Sequence, residues 1–254
     1  MLTIPEGYSV ADLHLHTSVS DGMAETAEVL RYVQECTSLN VIAITDHDTI
    51  EGGLRARDLA ARLGYRFEVI VGAEITTRRG HLLGLFLERD VPPLQPLAHT
   101  LQAIHEQGGL AVAPHPMSWL TFSLGQRSIE RVLAAQEHGV YLDALEVVNA
   151  SVAGRLVQGK ITRLNRQRYG LAEVGSSDGH FLPHIGTGCT LFPGHTAEDL
   201  RQSLLRRQTQ AVQNDAQQRQ PIGVGTLLQQ QFRSLIVLPS RSLRRPLRER
   251  IRGR

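Results

Sequence analysis

Two histidines, His14 and His16, stand two residues apart near the start of the chain, inside an otherwise apolar run. Side chains at this spacing point to the same face of a β-strand. Two neutral imidazoles pack poorly in an apolar core, but they are good ligands for a divalent metal ion. Asp21 follows shortly afterwards and adds a carboxylate. This stretch therefore predicts one part of a metal site.

Further histidines and carboxylates stand at the ends of apolar segments along most of the chain. A set without thiolates favours borderline to hard ions such as manganese, zinc or iron. One ion needs about three or four protein ligands, so a larger set is enough for two or three ions if a carboxylate bridges them. The predicted metal ligands are His14, His16, Asp21, His47, Glu74, His81, His115, Asp178 and His180.

Short apolar segments alternate with segments of helical spacing. The pattern predicts strands at 8–17, 40–45, 67–71, 81–87, 110–113, 142–148 and 172–175, with helices at 23–39, 49–63, 94–107, 128–138, 152–168 and from 196 onward. Such alternation is typical of a mostly parallel sheet covered by helices. A (β/α) barrel and a doubly wound open sheet both remain possible. The barrel is favoured because the ends of all its strands meet at one mouth, where the predicted ligands would converge.

The composition of the chain is typical of a globular protein and argues against some other classes of protein. The chain has 254 residues, of which 41% are hydrophobic and 20% charged, as in ordinary globular proteins. Its net charge is +2, but residues 240–254 alone carry +6, so residues 1–239 carry −4. A mildly acidic body argues against a basic nucleic-acid-binding face there. Cys36 and Cys189 show no disulfide or CxxC pattern, and no apolar run has the length of a membrane span, so we expect a cytoplasmic protein without membrane contact.

The character of the sequence changes after residue 208. Residues 1–208 are predicted to form one metal-dependent domain. Residues 209–254 form a C-terminal extension that is first rich in Gln and then rich in Arg. We expect this extension to be partly disordered, and its Arg-rich end is a candidate contact for nucleic acid. The sequence does not indicate an oligomeric state.

Five spaced motifs follow one another along the chain. They are Asp12-Leu-His-Leu-His-Thr-Ser with Asp21-Gly, Thr45-Asp-His-Asp-Thr, Gly72-Ala-Glu74, Pro114-His-Pro and Ser177-Asp-Gly-His180. In this order they resemble the motifs of the PHP (polymerase and histidinol phosphatase) family, from about residue 12 to residue 200, and most strongly those of its small-phosphoesterase branch. The resemblance implies a distorted seven-stranded (β/α) barrel of PHP type, here with a C-terminal extension, and a centre of two or three metal ions.

The same resemblance implies which ligands share an ion. One ion would be held by His14, His16, Glu74 and Asp178, a second by Glu74, His81 and His115 with Glu74 bridging, and a third by Asp21, His47 and His180. Members of this branch carry a helical insertion between the positions that match His81 and His115. Only 33 residues separate these two histidines here, so we expect that cover to be absent and do not carry over nucleotide specificity.

Other polar residues are candidates for supporting roles. Asp46 and Asp48 flank His47, and they are predicted to position it for catalysis without binding a metal themselves. Arg127, Asn149 and Arg155 lie in predicted loops on the mouth side, where they are candidates for binding a phosphate or a substrate hydroxyl.

The predicted reaction is metal-dependent hydrolysis of a small phosphomonoester or a nucleotide. A metal-bound hydroxide would attack phosphorus in line, and no protein nucleophile is required. Two alternatives stay open. One is a 5′–3′ exonuclease or polymerase-associated module whose Arg-rich tail grips nucleic acid, and the other is a metal-binding scaffold without catalysis.

Overall fold

The computed structural model describes residues 2–135, 138–215, 217 and 222–234. Nine strands among them form one sheet in the order β7-β6-β5-β4-β3-β2-β1-β8-β9. The strands are β1 Tyr8–Leu15, β2 Val41–Ile44, β3 Glu68–Thr77, β4 Gly80–Leu85, β5 Leu110–Ala113, β6 Ala144–Asn149, β7 Ala172–Ser176, β8 Gly188–Pro193 and β9 Gln210–Gln213.

Helices connect most of these strands. Where parallel neighbours follow each other, as from β1 to β2, β2 to β3, β5 to β6 and β6 to β7, the connection includes one α-helix. The helices are α1 Thr26–Cys36, α2 Glu51–Leu63, α3 Leu97–His105, α4 Gln126–Ala134, α5 Val152–Leu164, α6 Ala197–Leu205 and α7 Val224–Phe232.

The sheet curls until its two ends lie side by side. Gly175 N on β7 donates to Thr190 Oγ1 on β8 at 3.0 Å, and Thr209 Oγ1, just before β9, donates to the carbonyl of Glu173 at 2.7 Å. The result is a nearly closed barrel with helices around it, which confirms the predicted barrel in preference to the open sheet.

The predicted strand number, seven, is wrong for the described residues. The seven predicted strands correspond to β1 to β7, and the structure adds β8 and β9 after them. Both added strands run antiparallel to their neighbours. Their sequences, GCTLFP and QAVQ, lack the continuous β-branched run that identifies a buried strand.

Strand β3 is also longer than predicted. It was expected to end at residue 71, but it continues to Thr77 because it forms an antiparallel hairpin with β4. Glu74 is paired with Leu83 in that hairpin, so it lies within a strand and does not follow one. The regular backbone on both sides of Glu74 fixes the direction of its side chain.

A buried apolar cluster joins strands from opposite parts of the sheet order. Its members include Leu13 from β1, Leu83 from β4, Val112 from β5, Val174 from β7 and Phe192 from β8. Further clusters lie between the sheet and the surrounding helices. Among the helices described, none combines the length and apolarity that a membrane crossing requires.

The division of the chain at residue 208 stays a prediction. Strand β9 and helix α7 both follow that position, and β9 pairs with β8 through Cys189 and Val212. The Arg-rich residues 240–254, to which a nucleic-acid contact and disorder were assigned, lie outside the described residues.

The closure of the barrel gives a testable prediction about stability. A Cβ at Gly175 would overlap the carbonyl oxygen of Cys189 on β8, so we expect Gly175→Ala to lower the free energy of unfolding by about 3 kcal/mol. The matched control is Gly159→Ala on the exposed face of α5, where a Cβ meets no described atom within 4 Å. It should raise the free energy of unfolding by about 0.8 kcal/mol. Urea denaturation measures both, and an unperturbed Gly175→Ala variant would contradict the close approach of β7 to β8.

Candidate metal centre

The nine predicted ligands meet at one mouth of the barrel. His14 and His16 are buried at the end of β1, with ring centroids 5.1 Å apart. Their backbone is bonded to the loop after β7, since His16 N donates to the carbonyl of Gly179 at 3.1 Å and Gly179 N donates to the carbonyl of His14 at 3.1 Å. These bonds hold the backbone that carries both imidazoles at the end of β1.

Glu74 lies at the centre of the cluster and is buried. Its Oε1 atom lies close to two histidines, and its Oε2 atom lies close to three others. The distances are 2.9 Å from Oε1 to His81 Nδ1, 3.0 Å from Oε1 to His115 Nε2, 3.2 Å from Oε2 to His14 Nε2, and 3.4 Å from Oε2 to both His16 Nε2 and His47 Nε2.

Three histidines lie close to Asp21 on a second side of the centre. Its Oδ2 atom is 3.1 Å from His180 Nε2 and 3.7 Å from His47 Nε2, while its Oδ1 atom is 3.6 Å from His16 Nδ1. The His16 and His180 rings stack with centroids 4.2 Å apart. His16 thus has one nitrogen directed to Asp21 and the other directed to Glu74.

Asp178 completes the set from the loop after β7. Its backbone has φ of 54°, a left-handed conformation that a non-glycine residue adopts only when its surroundings hold it there. The Oδ1 atom is 3.6 Å from the Nε2 atoms of both His14 and His16, and 3.5 Å from His180 Nδ1. The strained backbone therefore brings this carboxylate to the centre.

These side chains fit divalent metal ions. Ligand atoms about 2.1 Å from a tetrahedral ion lie about 3.4 Å from one another, close to the nitrogen–oxygen distances at the centre. Both ring nitrogens of buried His16 lack a hydrogen-bond partner among the described residues, which an ion would remedy. Four groups have ligand atoms within 4.8 Å of one another: His16, Asp21, His47 and His180; His14, His16 and Asp178; His14, Glu74 and His115; and His47, Glu74 and His81.

The observed groups match the implied ion assignments in part. Asp21, His47 and His180 lie together as expected, and the geometry adds His16 to them. His14, His16 and Asp178 also lie together, with Glu74 within reach. In the set implied for the second ion, His81 and His115 both lie within 3.0 Å of Glu74 Oε1, while His81 also groups with His47 and His115 with His14.

The carboxylates are held in the ionised form that metal binding needs. Burial alone would raise the pKa of Glu74, but the neighbouring His47 and His81 hold that pKa well below its usual range. The pKa values of Asp21 and Asp178 are likewise lowered by nearby histidines, against the effect of burial. All three groups are therefore anionic near neutral pH.

The histidines fall into two classes. Burial lowers the pKa of His16 and of His47, which favours the neutral form that binds a metal ion. Burial would also lower the pKa of His180, but the Asp21 carboxylate raises it to about 10. A cation bound between Asp21 and His180 would replace that proton as the partner of the carboxylate.

Glu146 is a functional residue that the sequence prediction missed. It lies on β6 and is buried; its Oε1 atom is 3.1 Å from His14 Nδ1, and its Oε2 atom accepts from Asn149 Nδ2 at 2.7 Å. Its carboxylate also accepts from the backbone N–H of His115 and the hydroxyl of Ser176. Glu146 thus leaves His14 Nε2 facing the centre and orients the ring. The available signal was a carboxylate in the middle of the apolar segment ALEVVN.

Asp12 and Asp46 hold the loops that carry ligands. Asp12 accepts from Ser177 N at 3.0 Å and from Gly186 N at 2.8 Å, and its burial raises its pKa to about 6. Asp46 accepts from Thr17 N at 2.8 Å and from Ser20 Oγ at 2.6 Å, and burial raises its pKa to about 6 as well. Both carboxylates connect segments that are distant in sequence.

Asp48 lies on the other side of His47. Its backbone has φ of 55°, and its side chain accepts from Thr76 N at 2.7 Å and Thr76 Oγ1 at 3.1 Å. Asp46 and Asp48 therefore bind backbone and hydroxyl groups on either side of His47, an arrangement compatible with the positioning role predicted for them.

The three predicted substrate residues lie in different places. Asn149 is buried beside the centre, with Nδ2 3.5 Å from Asp178 Oδ2. Arg155 is exposed on α5 and lines a separate surface cavity with Arg163 and Arg166. Arg127 is exposed on α4, and among the described residues it is not part of the cavity at the centre.

A cavity of about 530 Å³ opens onto the centre. This volume lies in the range of about 300–1,000 Å³ found for small-molecule sites. Its lining combines seven of the predicted ligands with apolar side chains, which are those of Leu120, Phe122, Val152, Phe181 and Leu227. The cavity therefore offers charged groups for a phosphoryl group and apolar side chains for an organic group.

Comparison with known proteins identifies the family. A family model described as PHP domain matches residues 12–177, and one described as PHP-associated matches residues 163–209. An uncharacterised protein of Methanocaldococcus jannaschii is 38% identical over 55% of this chain and 81% of its own length. A 5′-3′ exoribonuclease of Haemophilus influenzae is 31% identical over 71% of this chain and 58% of its own length.

A solved structure shows the same fold. A two-domain protein of Bacteroides vulgatus, described as containing a predicted PHP-like metal-dependent phosphoesterase, superimposes with a TM-score of 0.66 at 20% identity. The match covers 91% of this chain and 72% of that one. The barrel and the site at its mouth define a metal-dependent hydrolase. The chain belongs to the PHP domain family of phosphoesterases.

The contacts of Glu146 predict an effect on metal affinity. We expect Glu146→Gln to weaken metal binding by about 10–100-fold, because an amide in place of the carboxylate no longer orients His14 with the same charge. Isothermal titration with manganese measures the change. The exposed Glu88→Gln serves as the control and should bind like the wild type. Equal affinity in Glu146→Gln and the wild type would show that Glu146 has no role in orienting His14.

Proposed function

We propose that this protein hydrolyses a phosphate ester, either a small phosphomonoester or a nucleotide, at a centre of two or three divalent ions such as Mn, Zn or Fe. The observation that carries the proposal is the position of Glu74, whose two oxygens lie within 3.4 Å of five histidine nitrogens. A carboxylate in such a position suits a bridging ligand between neighbouring ions. The apolar part of the cavity supports an organic ester group as the remainder of the substrate.

The roles of the residues follow from their positions. Asp21, Glu74 and Asp178 supply negative charge, and the histidines supply ring nitrogens that are already oriented. Bound divalent ions would neutralise charge on the phosphoryl group and lower the pKa of a coordinated water towards about 7. His115 is fixed from its other nitrogen, since Nδ1 is 2.8 Å from Ser123 Oγ. Asn149 Nδ2 lies close enough to Asp178 to hold its outer oxygen in place.

A second candidate function is 5′–3′ exonuclease activity. It is supported by the similarity to the exoribonuclease of Haemophilus influenzae, of whose length this chain covers 58%. The two candidates share a reaction and differ in the size of the substrate. Contact of residues 240–254 with nucleic acid and a cytoplasmic location stay predictions.

The test compares substrate classes directly. Manganese-loaded protein is assayed against p-nitrophenyl phosphate, bis(p-nitrophenyl) phosphate and a short 5′-phosphorylated RNA. We expect hydrolysis of at least one class, and we expect chelation with EDTA to abolish it. His14→Ala should lower kcat/KM by at least about a hundredfold, because it removes a group facing both Glu74 and Asp178.

The control for this test is His99→Ala. His99 is an exposed histidine on α3, so its loss should leave activity and metal content unchanged. Metal content of all variants is measured by mass spectrometry. The proposal fails if every substrate class stays inert, or if His14→Ala binds metal and hydrolyses substrate as well as the wild type does.

A further inference from the structure

Helix α7 covers one side of the metal centre. Its residue Gln230 is 7% exposed and lies in the cavity, where Nε2 donates to Asp21 Oδ2 at 3.3 Å. The amide is fixed from its other end, because Gln231 Nε2 donates to Gln230 Oε1 at 3.0 Å. Gln230 thus contacts a predicted metal ligand from 209 residues further along the chain.

A second set of contacts ties the end of the helix to the loop that carries Asp21. The guanidinium of Arg233 donates through Nη2 to the carbonyl of Ser18 at 2.8 Å and to that of Ser20 at 3.1 Å. The hydroxyl of Ser20 is held in turn by Asp46. Arg233 therefore anchors α7 to a loop that is itself rigidly supported, without contacting a predicted ligand.

Within the part of the chain that the structure describes, the other contacts of α7 are few. Val224, Leu228 and Phe232 are exposed, between 59% and 73%, so α7 buries little apolar surface. Leu227 lies at the wall of the cavity. An element held mainly by exposed backbone hydrogen bonds and a few side-chain contacts belongs to the less stable parts of a fold. Replacing either Gln230 or Arg233 should therefore release α7 from the cavity.

The position of α7 limits the space of the cavity beside Asp21. The cavity is also lined by Leu120, Thr121 and Phe122, which belong to the loop between β5 and α4. A cavity of about 530 Å³ holds a group of roughly mononucleotide size, whereas single-stranded nucleic acid is bound along a positively charged groove that follows its backbone. Only 33 residues separate His81 and His115, and within them the chain forms β4, α3 and β5 without a further helix that could cover the site.

We propose that helix α7 sets the size limit of the substrate, with Gln230 as the specificity-determining residue that closes the cavity beside Asp21. This inference rests on the proposed phosphoesterase function and refines it. The substrate is a small phosphate ester, and helix α7 excludes larger esters. Replacing Gln230 by a smaller residue, or removing the hydrogen bonds of Arg233 to Ser18 and Ser20, opens the cavity to esters with a large leaving group.

The first test measures substrate selection in the full-length chain. The ratio of kcat/KM for a 5′-phosphorylated oligonucleotide to that for p-nitrophenyl phosphate should rise about tenfold in Gln230→Ala and in Arg233→Ala. Most of the change should be a lower KM for the oligonucleotide. Gln230→Met keeps the volume of the side chain and removes the amide, so it should keep the ratio of the wild type. Gln229→Ala, at an exposed neighbouring position on the same helix, is the control and should change nothing.

The second test is independent of activity and of metal. Hydrogen–deuterium exchange of residues 224–232 should be faster in Arg233→Ala than in the wild type, and unchanged in Gln229→Ala. Exchange that is equal in Arg233→Ala and the wild type would overturn the anchoring of α7. In an active enzyme, an unchanged ratio in both Gln230→Ala and Arg233→Ala would overturn the size limit alone, whereas a wild type inert towards every ester would overturn the proposed function together with it.

Discussion

The structure depends on keeping the charged side chain of Glu74 buried in the barrel. A buried carboxylate is stable only if it is paired, and here five histidines from separate segments surround its two oxygens. Those histidines can reach it only if the ends of several strands meet at one mouth. The curvature of the sheet, the length of β3 and the left-handed backbone at Asp178 all serve that requirement.

Around this centre lies a second layer of buried carboxylates. Asp12, Asp46 and Glu146 each accept two or more hydrogen bonds from segments distant in sequence, and each lies within two residues of a predicted ligand or contacts one. These three carboxylates hold the loops with the predicted ligands in place, so the loops need little further ordering when a metal ion binds. Preorganisation of this kind is what makes a site at loop ends precise.

Spacing and residue type were sufficient to find all nine side chains that the structure brings together, because each stands in a polar motif at or near an apolar strand. Glu146 was not predicted as a site residue. Its role depends on which face of β6 it occupies, and the apolar segment around it does not indicate that face. Strands β8 and β9 were not predicted because their sequences lack a continuous β-branched run; in the structure β8 pairs with β1 and β9 pairs with β8. Arg127 and Arg155 are on helices α4 and α5, outside the residues that line the cavity at the centre, and their role in substrate binding stays a prediction.

The sequence by itself determined the kind of chemistry, since histidines and carboxylates in ordered motifs leave few uses other than binding divalent ions. It also determined the alternation of strands and helices, which depends on local periodicity. Only the tertiary structure decided which nitrogen faces which oxygen, as in the sharing of Glu74 by His14 and His81. It alone placed Gln230 against Asp21, because the closing of a barrel brings together residues whose separation along the chain carries no information about distance.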